Sequence, residues 1–189
     1  MGSIKGAIRW NDRTAFYVQT NNPTEMIIRR IDDQWLQSCG PTAAVMCCAV
    51  LDLDVAVTTS GGYQAQPEEI LMDALNDPRS WPELRQIRDL DPKEYAGNEV
   101  PQYYPWGVSR VFGATARFVW EHSWRRLSEL LRDGHSVQLC LEDPGHYIAA
   151  VAYDSLEDEV IYHDPWPARL EDNEGFGRRM DEDEYRTNV

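Results

Sequence analysis

Residues 39–51 read CGPTAAVMCCAVL. They are apolar on nearly every side of a helix, which predicts a helix buried in the protein rather than one lying on its surface. Proline is tolerated in the first helical turn, so Pro41 is compatible with a helix that begins at Cys39. Other elements of the chain must therefore cover this helix.

Downstream of this helix the sequence pattern changes from helices to strands. Pro67 followed by two glutamates opens a helix over 67–75, since acidic residues suit the positive end of a helix. Short helices and loops are predicted over 76–107, a helix over 108–116, and another over 124–132 that Gly134 ends. Three strand-like runs follow at 136–141, 147–153 and 159–163. Because short turns join them, an antiparallel meander is predicted. The expected fold class is α+β, with a helical lobe and an antiparallel β-sheet lobe.

The length of 189 residues suits one domain, and the two ends look different from the centre. Residues 1–30 are interpreted as an N-terminal extension with possible short strands at 7–10 and 14–18. Residues 31–170 form the predicted catalytic domain. Residues 171–189 form an acidic C-terminal tail, predicted to be solvated or frayed.

Charge and composition restrict the partners and the compartment. A formal net charge of -14 disfavours nucleic acid and anionic lipid surfaces as partners. No run approaches 18 consecutive apolar residues, so no membrane span is expected. The chain starts without a secretory signal, which predicts synthesis in the cytoplasm and four free thiols. Three of these, Cys47, Cys48 and Cys140, are expected to be small core residues.

Cys39 is the candidate nucleophile. A cysteine attacks as its thiolate, and free cysteine has a pKa of about 8.5, so a catalytic cysteine needs a cation or a helix N-terminus beside it. The predicted helix begins at Cys39 and supplies that positive end. Cys47 and Cys48 lie two turns inside the helix, where this help is lost.

His146 and Asp164 are the candidate partners of that thiol. His146 opens a predicted strand directly after a Pro-Gly turn, and Asp164 follows the next strand. In an antiparallel pair, the start of one strand lies beside the end of the next, so the two side chains can meet. This supplies a base and a group that orients the base. Two further histidines, His122 and His135, are expected to have surface or cap roles.

A catalytic thiol also needs a donor for the developing oxyanion. Gln34 lies five residues before Cys39 and is the first candidate, to act with the N–H of Cys39. Gln37 is the rival candidate, although at two residues before Cys39 it is too close in sequence to fold back readily.

Three blocks of sequence carry a resemblance to a known family. They are QWLQSCGPTAA (34–44), GHYIAAVAYD (145–154) and VIYHDPW (160–166). They resemble the bacteriocin-processing (double-glycine leader) peptidases and their stand-alone phage and bacterial relatives, within the papain-like cysteine peptidases. The resemblance covers roughly residues 30–170. It implies a papain-like fold and a triad of Cys39, His146 and Asp164, with Gln34 as oxyanion donor.

The chain departs from that family at two points. The interval from Gln34 to Cys39 is one residue shorter than usual. His163 stands where such proteins commonly have asparagine, which adds a second imidazole near the triad.

The resemblance implies a thiol endopeptidase that needs no cofactor and acts on a peptide. Stand-alone relatives resemble phage lysins, so peptidoglycan peptides are the expected substrate, with the protein released to the cell wall or carried in a virion. Two alternatives stay open: a papain-fold acyltransferase or transglutaminase, and an inactive virion or binding protein. A zinc site, a serine hydrolase and a phosphate-binding loop are disfavoured because the chain lacks their motifs.

Overall fold

The architecture is α+β, as predicted from the sequence. The computed structural model describes residues 3–17, 38–58, 64–91, 95–120, 123–141, 145–166 and 175–189. Within these ranges the α-helices are α1 (Cys39–Ala49), α2 (Pro67–Asn76), α3 (Trp81–Ile87), α4 (Tyr104–Phe112), α5 (Trp124–Arg132) and α6 (Glu182–Asn188). The strands are β1 (Ile4–Gly6), β2 (Val57–Thr58), β3 (Gln64–Ala65), β4 (Val137–Leu141), β5 (His146–Asp154), β6 (Glu159–His163) and β7 (Arg178–Met180).

β5 is the central strand of the five-stranded sheet, and every pairing in the sheet is antiparallel. β4 pairs with its first half and β1 with its last three residues, while β6 lies on its other side and carries β7. The predicted meander of three strands is therefore confirmed as β4, β5 and β6. A second, two-stranded sheet is made by β2 and β3.

The two faces of β5 pack against different helices. Tyr147, Ala149 and Val151 belong to one apolar cluster with α1, whereas Ile148 and Ala150 belong to another with α5. This alternation is what a strand covered on both sides requires. The sheet is thus sandwiched between a helical lobe that contains α1 and a smaller layer formed by α5 and α6.

α1 is the buried helix that the sequence predicts. Ten of its eleven residues are buried, and the exception, Cys47, is half-buried. The carbonyl of Ser38 accepts both the N–H of Thr42 (3.0 Å) and its hydroxyl (2.8 Å), which closes the first turn. Burial of an all-apolar helix against a sheet is favourable by roughly 25 cal/mol for each Å² of apolar surface removed from water. Cys39 is therefore held at a fixed point in the core.

The N-terminal prediction of two strands at 7–10 and 14–18 is wrong for the described residues. The strand lies earlier, at Ile4–Gly6, where it pairs with the end of β5. Residues after it turn back, because the N–H of Trp10 donates to the carbonyl of Ala7 (3.0 Å). Asp12 then caps a 3-10 turn by accepting from the N–H of Thr14 (2.8 Å). Residue 18 lies outside the described residues.

The prediction of a solvated or frayed C-terminus is also wrong. β7 adds to the sheet beside β6, and α6 follows it. The acidic run supplies the first turn of α6, where Asp181 caps the helix by accepting from the N–H of Glu184 (2.8 Å). Tyr185 is 4% exposed and its ring lies 5.6 Å from that of Trp124. The charges that suggested a loose tail are helix-capping charges.

Helix boundaries elsewhere agree with the predictions except in one place. α5 has the predicted bounds, and α2 extends one residue past its predicted end. α4 begins and ends four residues earlier than predicted, because Gly113 adopts a left-handed conformation (φ 66°) that stops the helix. Among the described residues, no helix is long and apolar enough to cross a membrane.

His163, the last residue of β6, is fully buried between two aromatic rings. It stacks on Phe176 with centroids 4.6 Å apart and meets Phe16 edge-on at 5.9 Å. Its Nδ1 accepts the N–H of Gly177 (3.1 Å), so the ring is neutral with its proton on Nε2. Burial lowers the pKa of His163 to about 4, although the nearby carbonyls of Tyr162 and Trp10 oppose the shift.

The buried neutral His163 should make the fold sensitive to acid. A histidine whose pKa is 6.5 unfolded and about 4 folded binds its proton in the unfolded state first, so stability falls as the pH drops below 6.5. From pH 7 to pH 5 this group alone should remove about 2 kcal/mol of the free energy of unfolding. Urea denaturation at the two pH values, for wild type and His163→Asn, measures it.

His163→Asn lacks the titrating ring, so the free energy of unfolding that it loses between pH 7 and pH 5 should be smaller by that amount. An asparagine oxygen can still accept the N–H of Gly177, which should keep the variant folded. His135→Asn is the control, because His135 is exposed. Identical pH dependence in His163→Asn and wild type would refute the assignment of a neutral, buried ring.

Candidate active site

Cys39 is the first residue of α1, and 6% of its surface is exposed. The first N–H groups of a helix have no partner within the helix, and the helix dipole makes this end positive. The positive end of the α1 dipole therefore lies beside the sulfur of Cys39. The predicted position of Cys39 at the start of a buried helix agrees with the structure.

The first turn of α1 is fixed by side chains from two other elements. Gln138 of β4 donates from Nε2 to the carbonyl of Gly40 (2.9 Å). Tyr104, the first residue of α4, donates from its hydroxyl to the carbonyl of Asn98 (2.7 Å) and lies directly against Gly40. A β-carbon at residue 40 would overlap that hydroxyl, so the close approach requires glycine. This packing keeps the backbone beside Cys39 in place.

His146 is the first residue of β5 and reaches both other candidates. Its Nε2 lies 2.7 Å from Oδ1 of Asp164, and Cys39 is close enough to the ring to help raise its pKa. Because Nε2 faces the carboxylate, Nδ1 is the ring nitrogen left for the thiol. The structure therefore brings Cys39, His146 and Asp164 together at one place.

The environment of His146 favours its charged form. Burial alone would lower its pKa, but hydrogen bonds and negative charge from Asp164 and Cys39 outweigh burial and raise the pKa to about 9. The ring is then an imidazolium at neutral pH. A neighbouring cation of this kind is what a cysteine needs to ionise.

Asp164 is 8% exposed and is held by several hydrogen bonds. Its Oδ1 also accepts the N–H of Trp166 (2.9 Å), and its Oδ2 accepts Nη1 of Arg178 (2.9 Å). Its own N–H donates to the carbonyl of Gly175 (2.8 Å). The carboxylate therefore has one orientation relative to the histidine.

Gln34, Gln37 and His122 lie outside the described residues, so the assignment of the oxyanion donor stays a prediction. His135 is exposed, and its N–H donates to the carbonyl of Leu130 (3.1 Å) at the end of α5. His163 is separate from the triad contacts: its Nδ1 faces Gly177 and its ring lies between Phe16 and Phe176.

The remaining cysteines differ from Cys39 in their surroundings. Burial raises the pKa of Cys48 to about 12, and burial also raises the pKa of Cys47. Neither thiol can ionise readily near neutral pH. The expectation that Cys140 is a core residue is wrong, because it is exposed on β4 opposite Tyr147. None of the four cysteines forms a disulfide.

The described residues contain no group of three or more His, Cys, Asp or Glu side chains that could hold a metal ion. The contacts assembled at the site suit acid–base and nucleophilic chemistry carried by amino-acid side chains.

Three residues beside the site have no local sequence signal. Gln138 and Tyr104 support the turn that follows Cys39, and Arg178 binds Asp164. Gln138 and Tyr104 come from elements distant in sequence from Gly40, and Arg178 lies 14 residues after Asp164 on a strand that no local pattern signals. Arg178 in addition lies in the segment that was predicted to be a solvated or frayed tail.

Comparison with known proteins agrees with this fold and arrangement. The Peptidase_C39 like family matches residues 12–187. Comparison with curated proteins gave no match, and neither did comparison with solved structures. The match spans nearly all of the chain, including the folded C-terminal segment. The chain therefore belongs to the Peptidase_C39 like family, which relates it to the C39-type papain-like cysteine peptidases.

Proposed function

We propose that the protein is a cysteine endopeptidase in which Cys39 is the nucleophile, His146 the general base and acid, and Asp164 the residue that orients His146. The observation that carries the proposal is the 2.7 Å contact between Nε2 of His146 and Oδ1 of Asp164, on a ring whose pKa Cys39 also raises. A nucleophile, a base and an orienting group in hydrogen-bond reach are the arrangement that covalent catalysis uses. Family membership supports the same reading.

The reaction starts with the proton of Cys39 already on His146, and the thiolate sulfur forms a bond to the carbonyl carbon of the peptide. The negative charge moves to the carbonyl oxygen, where the N–H of Cys39 and the side chain of Gln34 donate to it. The C–N bond then breaks, and His146 gives its proton to the leaving amine. The product is a thioester on Cys39.

In the second half, His146 removes a proton from water, whose oxygen attacks the thioester carbon. The C–S bond breaks, the carboxylic acid leaves, and Cys39 returns as a thiolate beside the protonated histidine. If an amine takes the place of water, the same site transfers the acyl group. This is the acyltransferase or transglutaminase alternative, and it differs only in the second reactant.

Peptide cross-links of peptidoglycan are the substrate class that we propose, because the three sequence blocks resemble stand-alone phage and bacterial relatives of the leader peptidases. The acidic chain, with a formal net charge of -14, suits a substrate that carries amino groups more than one rich in phosphate. A lysin-type role would bring the protein to the cell wall.

Purified sacculi should release new amino groups with the wild-type protein and none with Cys39→Ala. Cys140→Ser is the matched control, since Cys140 is an exposed thiol on β4, and it should keep the activity. The released amino groups are quantified by labelling free amines. A parallel reaction contains an added primary amine. Incorporation of that amine in place of hydrolysis would identify the transferase instead. Folded wild-type protein that releases nothing would rule out the cell-wall substrate.

The three site residues should not be equally important. Cys39 and His146 exchange bonds or protons with the substrate, whereas Asp164 acts through His146. For any peptide that the protein cleaves, Cys39→Ala and His146→Ala should therefore each lower kcat/KM at least about tenfold more than Asp164→Asn does.

Asp154→Asn provides the control for that comparison. Asp154 is also a buried carboxylate bonded to an arginine, Arg179 (3.0 Å), but it lies at the opposite end of β5. It should keep near wild-type turnover if the variant remains folded. Equal losses in all three site variants, with folding intact, would contradict the division of roles.

A further inference from the structure

The second carboxylate oxygen of Asp164 is bound by a guanidinium group. Nη1 of Arg178 lies 2.9 Å from Oδ2, while Oδ1 serves His146 and the N–H of Trp166. Both oxygens are thus engaged, and the carboxylate cannot rotate without losing a charged partner. Hydrogen bonds between ionised groups are about twice as strong as neutral ones.

The strand register explains why Arg178 reaches this oxygen. Arg178 of β7 is paired with Tyr162 of β6, and paired residues project from the same face of a sheet. Asp164 follows Tyr162 by two residues, so it lies on the same side of the chain. The guanidinium also lies over the Tyr162 ring, with Cζ 5.6 Å from its centroid. The guanidinium is therefore held both by the Asp164 carboxylate and by the Tyr162 ring.

The turn before β7 fixes the backbone position of Arg178. The carbonyl of Gly175 accepts the N–H of Asp164 (2.8 Å), and the N–H of Gly177 donates to the buried ring of His163 (3.1 Å). A β-carbon at residue 175 would overlap the carbonyl oxygen of Asp164, so the two backbones touch. Arg178 and Asp164 are consequently coupled through the backbone as well as through their side chains.

We propose that Arg178 is a positioning residue of the active site, which binds the second oxygen of the Asp164 carboxylate and so weakens the hold of that carboxylate on the imidazolium proton. This inference rests on the proposed function and adds a residue to its machinery. A carboxylate shared between two cations stabilises each less than it would stabilise one alone. His146 then keeps enough affinity for its proton to activate Cys39 and can still release the proton to a leaving amine.

The charged groups around this pair come from several elements. Cys39 of α1 and Asp164 after β6 face His146, and Arg178 of β7 faces Asp164. Glu184 of α6 lies near Tyr162, on which the guanidinium rests. Among these described groups, Arg178 is the cation that contacts Asp164 together with His146.

The experiment is an NMR pH titration of the His146 ring in the full chain, with signals assigned by single His→Asn replacements. Arg178→Gln removes the cation, so the titration midpoint of His146 should move up by about half a pH unit or more, roughly threefold in proton affinity. Arg178→Lys keeps the charge and should lie closer to wild type. Arg179→Gln is the matched control, since Arg179 pairs with Asp154 and Glu159 instead. In this variant the titration midpoint of His146 should not move.

A second cycle tests whether the effect passes through Asp164. In an Asp164→Asn background, Arg178→Gln should no longer shift the His146 midpoint. An unshifted or lowered midpoint in Arg178→Gln, or an undiminished shift without the Asp164 carboxylate, would overturn the proposal. If Arg178→Gln does not fold, Arg178→Met, whose apolar chain can stay on the Tyr162 ring, replaces it in both comparisons. The readout requires no turnover, so an unreactive Cys39 would count against the proposed function and leave this inference standing.

Discussion

The hydrogen bond of 2.7 Å between Nε2 of His146 and Oδ1 of Asp164 joins two neighbouring strands at the end of the sheet nearest α1. His146 opens β5, and Asp164 follows β6 directly. With Nε2 occupied by the carboxylate, the ring can present only Nδ1 to Cys39. This one contact thus decides which ring nitrogen faces the thiol and how the ring is oriented, and the chemistry proposed for the thiol depends on it.

The fold holds the two sides of that contact by different means. α1 is fixed by apolar packing on β5 and by two polar side chains, Gln138 and Tyr104, at its first turn. Asp164 is fixed by the turn at 175–177 and by Arg178. The C-terminal segment therefore contacts the proposed site as well as the sheet. This agrees with a family match that continues to residue 187.

Much of this arrangement follows from local sequence patterns. The spacing of Trp124, Leu127 and Leu131 with Gly134 after them gave the bounds of α5, and alternation with short turns gave the meander. Antiparallel pairing of consecutive strands was enough to expect His146 and Asp164 to lie close together. These features depend on interactions between residues near one another in the sequence.

The features that the sequence did not reveal depend on pairings that no local pattern signals. β1 has only three residues, and it is a strand because the end of β5, about 150 residues later, pairs with it. β7 contains two arginines, so its sequence suggests a polar tail, and only the pairing with β6 makes it a strand. Arg178 could not be connected with Asp164 without that register. The oxyanion donor stays a prediction, because Gln34 lies outside the described residues.

The central claim is that Cys39 is activated by His146. Alkylation of each of the four cysteines by iodoacetamide, followed against pH by mass spectrometry in wild type and His146→Ala, tests it without a substrate. The account predicts that Cys39 is labelled rapidly at mildly acidic pH in wild type, that this rapid labelling is lost in the variant, and that Cys47 and Cys48 react slowly in both. Slow labelling of Cys39 in both proteins, like that of an ordinary thiol, would contradict the account.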